Sequence, residues 1–121
     1  MDHQSQPVGQ EISCVMKGVK ENFLINPLEL RELAINSLKK FNFSILKVQE
    51  HSFSPQGYTL LILLGESHLA VHTYPEYNSI YFNLYSCRGP KDAEPTFELI
   101  KEKLKPKNIL FYKENKIPLV G

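Results

Sequence analysis

The chain has 121 residues, 42% of them hydrophobic and 22% charged, with a net charge of +1. That is the size and balance of one globular domain, read here as residues 1–121. Lys and Arg are interleaved with acids rather than gathered, which argues against nucleic acid as a partner. The longest apolar run, around Leu60 to Leu64, is strand-sized and too short to span a membrane.

The first seven residues, Met1 to Pro7, are polar and lack a signal-peptide core, so the expected location is cytoplasmic. Residues 1–9 read as a disordered tail. Cys14 and Cys87 have no CxxC neighbour, which favours reduced thiols over a bridge or a structural zinc site.

Glu11 to Val19 alternates loosely and reads as a first strand, with Cys14 in the core. Asn26-Pro27-Leu28-Glu29 is a helix start, with Asn26 as cap, Pro27 in the first turn and Glu29 completing a capping box. Leu30, Leu33, Ala34 and Leu38 recur at helical spacing, so the helix should run to Lys40 or Phe41.

Phe43 to Phe53 reads as a second strand, and Pro55-Gln56-Gly57 as a turn. Tyr58 to Leu64 is apolar on both faces and must be covered on both. Pro75 and Asn78 mark another turn. In Ser79 to Cys87, Ile80, Phe82 and Leu84 face one way, and Tyr81, Asn83, Tyr85 and Cys87 the other. Asp92 is placed to cap a second helix with a Phe97, Ile100, Leu104 stripe, ended by Pro106. Lys107 to Tyr112 is a last strand, followed by a short polar tail.

This order predicts an α+β fold: an antiparallel β-sheet with two helices packed on one face, a two-layer sandwich. One helical layer leaves the other face of Leu60 to Leu64 open. A homodimer, sheet against sheet or edge against edge, would cover it and make a larger sandwich. The plainer alternative is a ferredoxin-like ligand-binding domain.

Between these elements lies Gly65-Glu66-Ser67-His68-Leu69-Ala70-Val71-His72-Thr73-Tyr74-Pro75-Glu76. It gathers a hydroxyl, two imidazoles and, on the next strand, the Cys87 thiol. A hydrolase is disfavoured, because there is no G-x-S-x-G elbow and no chain-order triad. His68 and His72 share a strand face, but no third metal ligand lies near them, so no metal is expected. On a regular strand Ser67 and His72 point to opposite faces, which predicts a bend or bulge at Gly65–Ser67 to bring them together. On their own, these residues also fit a serine at a strand end with two half-buried histidines.

Phe53-Ser54-Pro55-Gln56-Gly57, Thr59, Glu66-Ser67-His68, His72-Thr73-Tyr74-Pro75-Glu76 and Cys87 together resemble the small prokaryotic S-adenosylmethionine decarboxylases, which are pyruvoyl enzymes. The match is densest over residues 51–87. The resemblance implies self-cleavage between Glu66 and Ser67 into fragments 1–66 (β chain) and 67–121 (α chain). Ser67 becomes a pyruvoyl group that forms a Schiff base with substrate, with neither metal nor pyridoxal phosphate.

The resemblance makes His72 the processing base, a task suited to an imidazole. It makes Cys87 the proton donor in decarboxylation, and Thr59 a processing hydroxyl where the family usually has serine. It places Phe53, Glu76, His68 and Tyr74 at the substrate, with Phe53 on the adenine and Glu76 on the ribose hydroxyls. The product would be the aminopropyl donor for polyamine (spermidine) biosynthesis, and the active form a homodimer of processed αβ protomers.

Tyr74 stands where the family commonly has tryptophan, Asn83 where it has aspartate, and Arg88 where glycine is frequent. These departures keep open a pyruvoyl decarboxylase of ornithine or arginine, with Arg88 or Lys91 on the carboxylate. A third reading, from another class, is a non-catalytic small-molecule-binding α+β module.

Overall fold

A computed structural model describes residues 5–121. The elements are β1 (Val8–Lys17), α1 (Asn22–Ile25), α2 (Pro27–Lys40), β2 (Ile45–Ser52), β3 (Tyr58–Leu64), β4 (Ser67–Tyr74), a 3-10 turn (Pro75–Tyr77), β5 (Ser79–Ser86), α3 (Glu94–Leu104) and β6 (Asn108–Pro118). All strands pair antiparallel in one sheet, in the order β2-β3-β4-β5-β1-β6. This is the expected α+β architecture, with α2 and α3 on one face.

Period-two alternation decides which side chains meet the helices. Ile12, Cys14, Met16, Leu60, Ile62, Leu69, Val71, Ile80, Phe82 and Leu84 are buried in a single core with Leu30, Ala34, Leu38, Phe97, Ile100 and Leu104 of the helices. The intervening residues form the opposite, open face. There Leu61 and Leu63 are 46% and 52% exposed. Covering what remains exposed would be worth about 1 kcal/mol each, half the value for a fully exposed leucine. Among the described residues, no helix is long and apolar enough to cross a membrane.

Several boundaries differ from the sequence reading. The first strand begins at Val8, inside the expected tail, whose residues 1–4 lie outside the described residues. Asn26 caps α2 as expected, accepting from Leu28 N–H. Glu29, however, bonds the side-chain amides of Asn22 and Asn26, because the short α1 has already taken the Asn26 N–H.

Asp92 does not cap α3. It accepts from Ser86 Oγ and Arg88 Nε, and the helix is capped from β1 instead, where buried Gln10 Oε1 accepts from Ala93 and Glu94 N–H. β6 runs through Pro118, so the expected polar tail is strand. A bulge opposite Cys14, with Phe111 at φ +52, hides its alternation.

Candidate functional site

The β3–β4 hairpin carries the motif residues, and it separates them into two groups. Its pairing is unbroken from Leu64↔Ser67 to Tyr58↔Thr73, with no bulge. Thr59 pairs with His72, five pairs from Ser67. At about 3.4 Å per residue, that distance is about 17 Å. The expected bend bringing Ser67 to His72 is therefore absent: the two-residue turn Gly65-Glu66 leaves the strand extended from Ser67 onward.

The first group surrounds the turn. Ser67 has φ +144, a region that side-chain-bearing residues seldom occupy. A residue held there stores on the order of 1–3 kcal/mol of strain. The carbonyl of Glu66, which would be the scissile carbonyl, accepts from Cys87 N–H at 3.0 Å. Cys87 is buried and stands one residue past β5, placed there by the Ser67↔Ser86 pairing. The Glu66 side chain is only 3% exposed, and its carboxylate accepts from Ser44 N–H and Ser44 Oγ. A buried carboxylate needs such donors.

The second group lies at the far end of the hairpin. Thr59 Oγ1 and His72 Nδ1 share a hydrogen bond of 3.0 Å on the open face. They line a cleft of about 450 Å³ with Phe53, Gly57, Tyr74 and Glu76. Phe53 is 52% exposed, and His51 meets its ring edge-on at 4.5 Å between centroids. Glu76 sits in the 3-10 turn, and the left-handed Asn78 turns the chain back into β5. Thr73 Oγ1 is buried beside the cleft without a hydrogen-bond partner. Phe53, Tyr74 and Glu76 are thus brought together with Thr59 and His72.

His68 belongs to neither group. Its Nε2 meets Asn83 Oδ1 at 2.9 Å, and Asn83 Nδ2 donates to Ser13 Oγ. The two histidines of β4 are engaged separately, and no cluster of three or more His, Cys, Asp or Glu side chains among the described residues could hold a metal.

Arg88 is held by its own fold: Nε donates to Asp92, the two terminal nitrogens donate to the Asn42 and Phe41 carbonyls, and its face lies over Phe43. Three of its five N–H groups are thus engaged, which weighs against Arg88 as the carboxylate contact of the ornithine or arginine alternative and leaves that role to Lys91. Burial pushes the Cys14 thiol up to about 11, which suits a core residue rather than a reactive one. Ser44 enters these contacts without any local sequence signal, since its partner Glu66 lies 22 residues on in another turn.

The family model for S-adenosylmethionine decarboxylase matches residues 10–115. The S-adenosylmethionine decarboxylase proenzyme of Archaeoglobus fulgidus is 30% identical over 105 residues, covering 87% of this chain and 94% of the relative. That of Thermoplasma volcanium is 31% identical, covering 94% of this chain and 88% of the relative. The crystal structure of the adenosylmethionine decarboxylase from Aquifex aeolicus superposes with a TM-score of 0.86 at 26% identity, covering 97% and 96% of the two chains. The fold, the motif on its hairpin and these matches agree, and the chain belongs to the S-adenosylmethionine decarboxylase family.

Proposed function

We propose that the chain is a self-processing decarboxylase of S-adenosylmethionine, working in the cytoplasm and supplying the aminopropyl donor for polyamine (spermidine) synthesis. The observation that carries this reading is the Glu66–Ser67 peptide. A strained serine follows a carbonyl that a backbone donor already holds.

Ser67 Oγ attacks the Glu66 carbonyl, the C–N bond breaks, and the hydroxyl proton passes to the nitrogen, leaving an ester. Cys87 N–H is placed to stabilise the oxyanion on the way. A base then takes the α-hydrogen of Ser67, and the Cβ–O bond breaks to release Glu66 as a carboxylate. Residue 67 tautomerises to an imine, which water hydrolyses to a ketone and ammonia. The turn fits this outcome, since it presents the peptide at the end of a strand with both sides of Glu66 held. The resulting pyruvoyl ketone supplies an electron sink for decarboxylation. We assign Cys87 as the group that returns a proton to the substrate's α-carbon, in line with its position beside the Glu66–Ser67 peptide.

The base is His72, and the register keeps it about 17 Å from Ser67 of its own chain. Proton transfer needs approach to about 3 Å. We therefore assign His72 and Thr59 to the Ser67 of a second copy. Two open faces packed about a two-fold axis near Leu61 and Ala70 would set the turn of one hairpin over the far end of the other. The exposed Leu61 and Leu63 lie where the axis would pass. The cleft lined by Phe53, Tyr74 and Glu76 would then hold the adenosine part of the substrate, next to the partner's residue 67.

The test is the intact mass of freshly purified protein under denaturing conditions. The reading expects fragments 1–66 and 67–121, the second carrying a ketone that an amine plus borohydride traps. It also expects carbon dioxide release from S-adenosylmethionine but not from ornithine or arginine. A full-length mass that persists on incubation overturns it.

A further inference from the structure

The loop after α2 grips the turn ahead of the scissile bond. The Ser44 carbonyl accepts from Gly65 N–H at 2.8 Å, while Ser44 N–H and Oγ both donate to the Glu66 carboxylate at 3.0 Å. The approach is close: a methyl added at Gly65 would come within 3.3 Å of Ser44 Cβ. Glu66 is 3% exposed, no salt bridge reaches it among the described residues, and Ser44 donates to both of its carboxylate oxygens.

Ser44 is itself held in place. Arg88 donates to the carbonyls of Phe41 and Asn42 and lies 3.9 Å from the centroid of the Phe43 ring. Arg88 follows Cys87, whose N–H holds the Glu66 carbonyl. The contacts close into a ring, from Glu66 to Ser44, along the loop to Arg88, to Cys87 and back to Glu66.

We propose that Ser44 is a positioning residue for the rearrangement of the Glu66–Ser67 peptide, with Arg88 as the strut that fixes its loop. This rests on the self-cleavage reading above. A serine at φ +144 returns to the extended region if its neighbours let it. Rotation of Glu66 is the nearest route of relaxation. The ring blocks that route by pinning Glu66 at its carboxylate and at its carbonyl. A glycine would occupy this φ without strain but would lack the hydroxyl that attacks. Ser44 thus acts on the first step, the shift of the Glu66 acyl group from nitrogen to Ser67 Oγ, and not on the later elimination.

The experiment follows cleavage by mass in freshly translated wild-type, Ser44→Ala and Ser44→Thr chains, with and without hydroxylamine, which cuts esters far faster than amides. Ser44→Ala should cleave at least about ten-fold more slowly, the loss expected when one donor to a buried charge goes missing. Ser44→Thr should restore the rate. Hydroxylamine should not rescue Ser44→Ala, because the ester is not reached, but should cut His72→Ala, which stalls after it. Thermal unfolding is measured alongside.

Cleavage of Ser44→Ala at the wild-type rate overturns the proposal, and so does an ester in that variant that hydroxylamine releases. If the wild type does not cleave at Glu66–Ser67, the self-cleavage reading falls and takes the proposal with it. If Ser44→Ala does not fold, Glu66→Met is read by the same criteria, since it nearly keeps the volume but removes both acceptor oxygens.

Discussion

Co-expressing Ser67→Ala and His72→Ala chains tests whether the site is shared between two copies. Differently tagged chains allow the mixed dimer to be isolated. The structure sets the expectation through its register. Ser67 pairs with Leu64 and His72 with Thr59, five pairs apart on an unbroken ladder. At about 3.4 Å per residue the two positions are about 17 Å apart. No rotamer of His72 closes that gap. Removing a general base slows a reaction about 10²–10⁴-fold, so His72→Ala alone should remain almost uncleaved. Ser67→Ala alone has no hydroxyl to attack with.

In the mixed dimer, one site combines Ser67 of the His72→Ala chain with His72 of the Ser67→Ala chain. That site is complete, and the other lacks both groups. Every His72→Ala chain in the mixed dimer should therefore cleave at close to the wild-type rate, while every Ser67→Ala chain stays whole. Half of all chains would be cut, read directly from the masses of the tagged fragments. If the His72→Ala chain stays uncut in the mixed dimer while wild type cleaves, the base works within its own chain. The hairpin would then have to bend by a route its pairing gives no sign of.

Three further outcomes follow from particular contacts. Phe53→Ala should leave self-cleavage unchanged and raise KM for S-adenosylmethionine roughly 2–10-fold, the worth of one aromatic stacking contact, measured by steady-state kinetics. Gln10→Ala should lower unfolding stability by about 1–3 kcal/mol in urea titrations, because it strips the acceptor from one buried and one part-buried N–H at the start of α3. Cys14 has a folded pKa of about 11 against 9.0 when unfolded. Its contribution is fully present below pH 9 and is lost as pH rises toward 11, because the unfolded thiol gives up its proton first. Urea midpoints should fall over that window, and Cys14→Ala should flatten the decline.

Local rules were enough for much of the fold. Asn26-Pro27 and the Leu30, Ala34, Leu38 stripe set α2, and the alternation of Ile80, Phe82 and Leu84 set β5. They failed where a distant group took over a local role. Asp92 had the chemistry of a cap, but Gln10 reached α3 first from β1 and left Asp92 to Arg88. The Lys113 to Lys116 stretch read as a solvated tail because the bulge at Phe111 breaks its period, while pairing with β1 keeps it a strand. Ser44 gave no signal at all, since its partner Glu66 lies 22 residues on and only the tertiary fold joins them.

The candidate site was legible in type but not in arrangement, and the reason is geometric. A five-residue spacing covers about 7.5 Å along a helix, at 1.5 Å per residue. It covers about 17 Å along a strand. Ser67 and His72 are close in the sequence, so they read as one constellation that a bend would complete. On β4 the same spacing puts them at opposite ends of the hairpin, the turn with its strained serine at one and the imidazole with its cleft at the other. Such an arrangement is wasteful within one chain. It is economical across a two-fold axis, because the symmetry that sets one turn over the partner's cleft sets the partner's turn over the first cleft as well. The open face with its exposed leucines and the distance between Ser67 and His72 then have one common explanation.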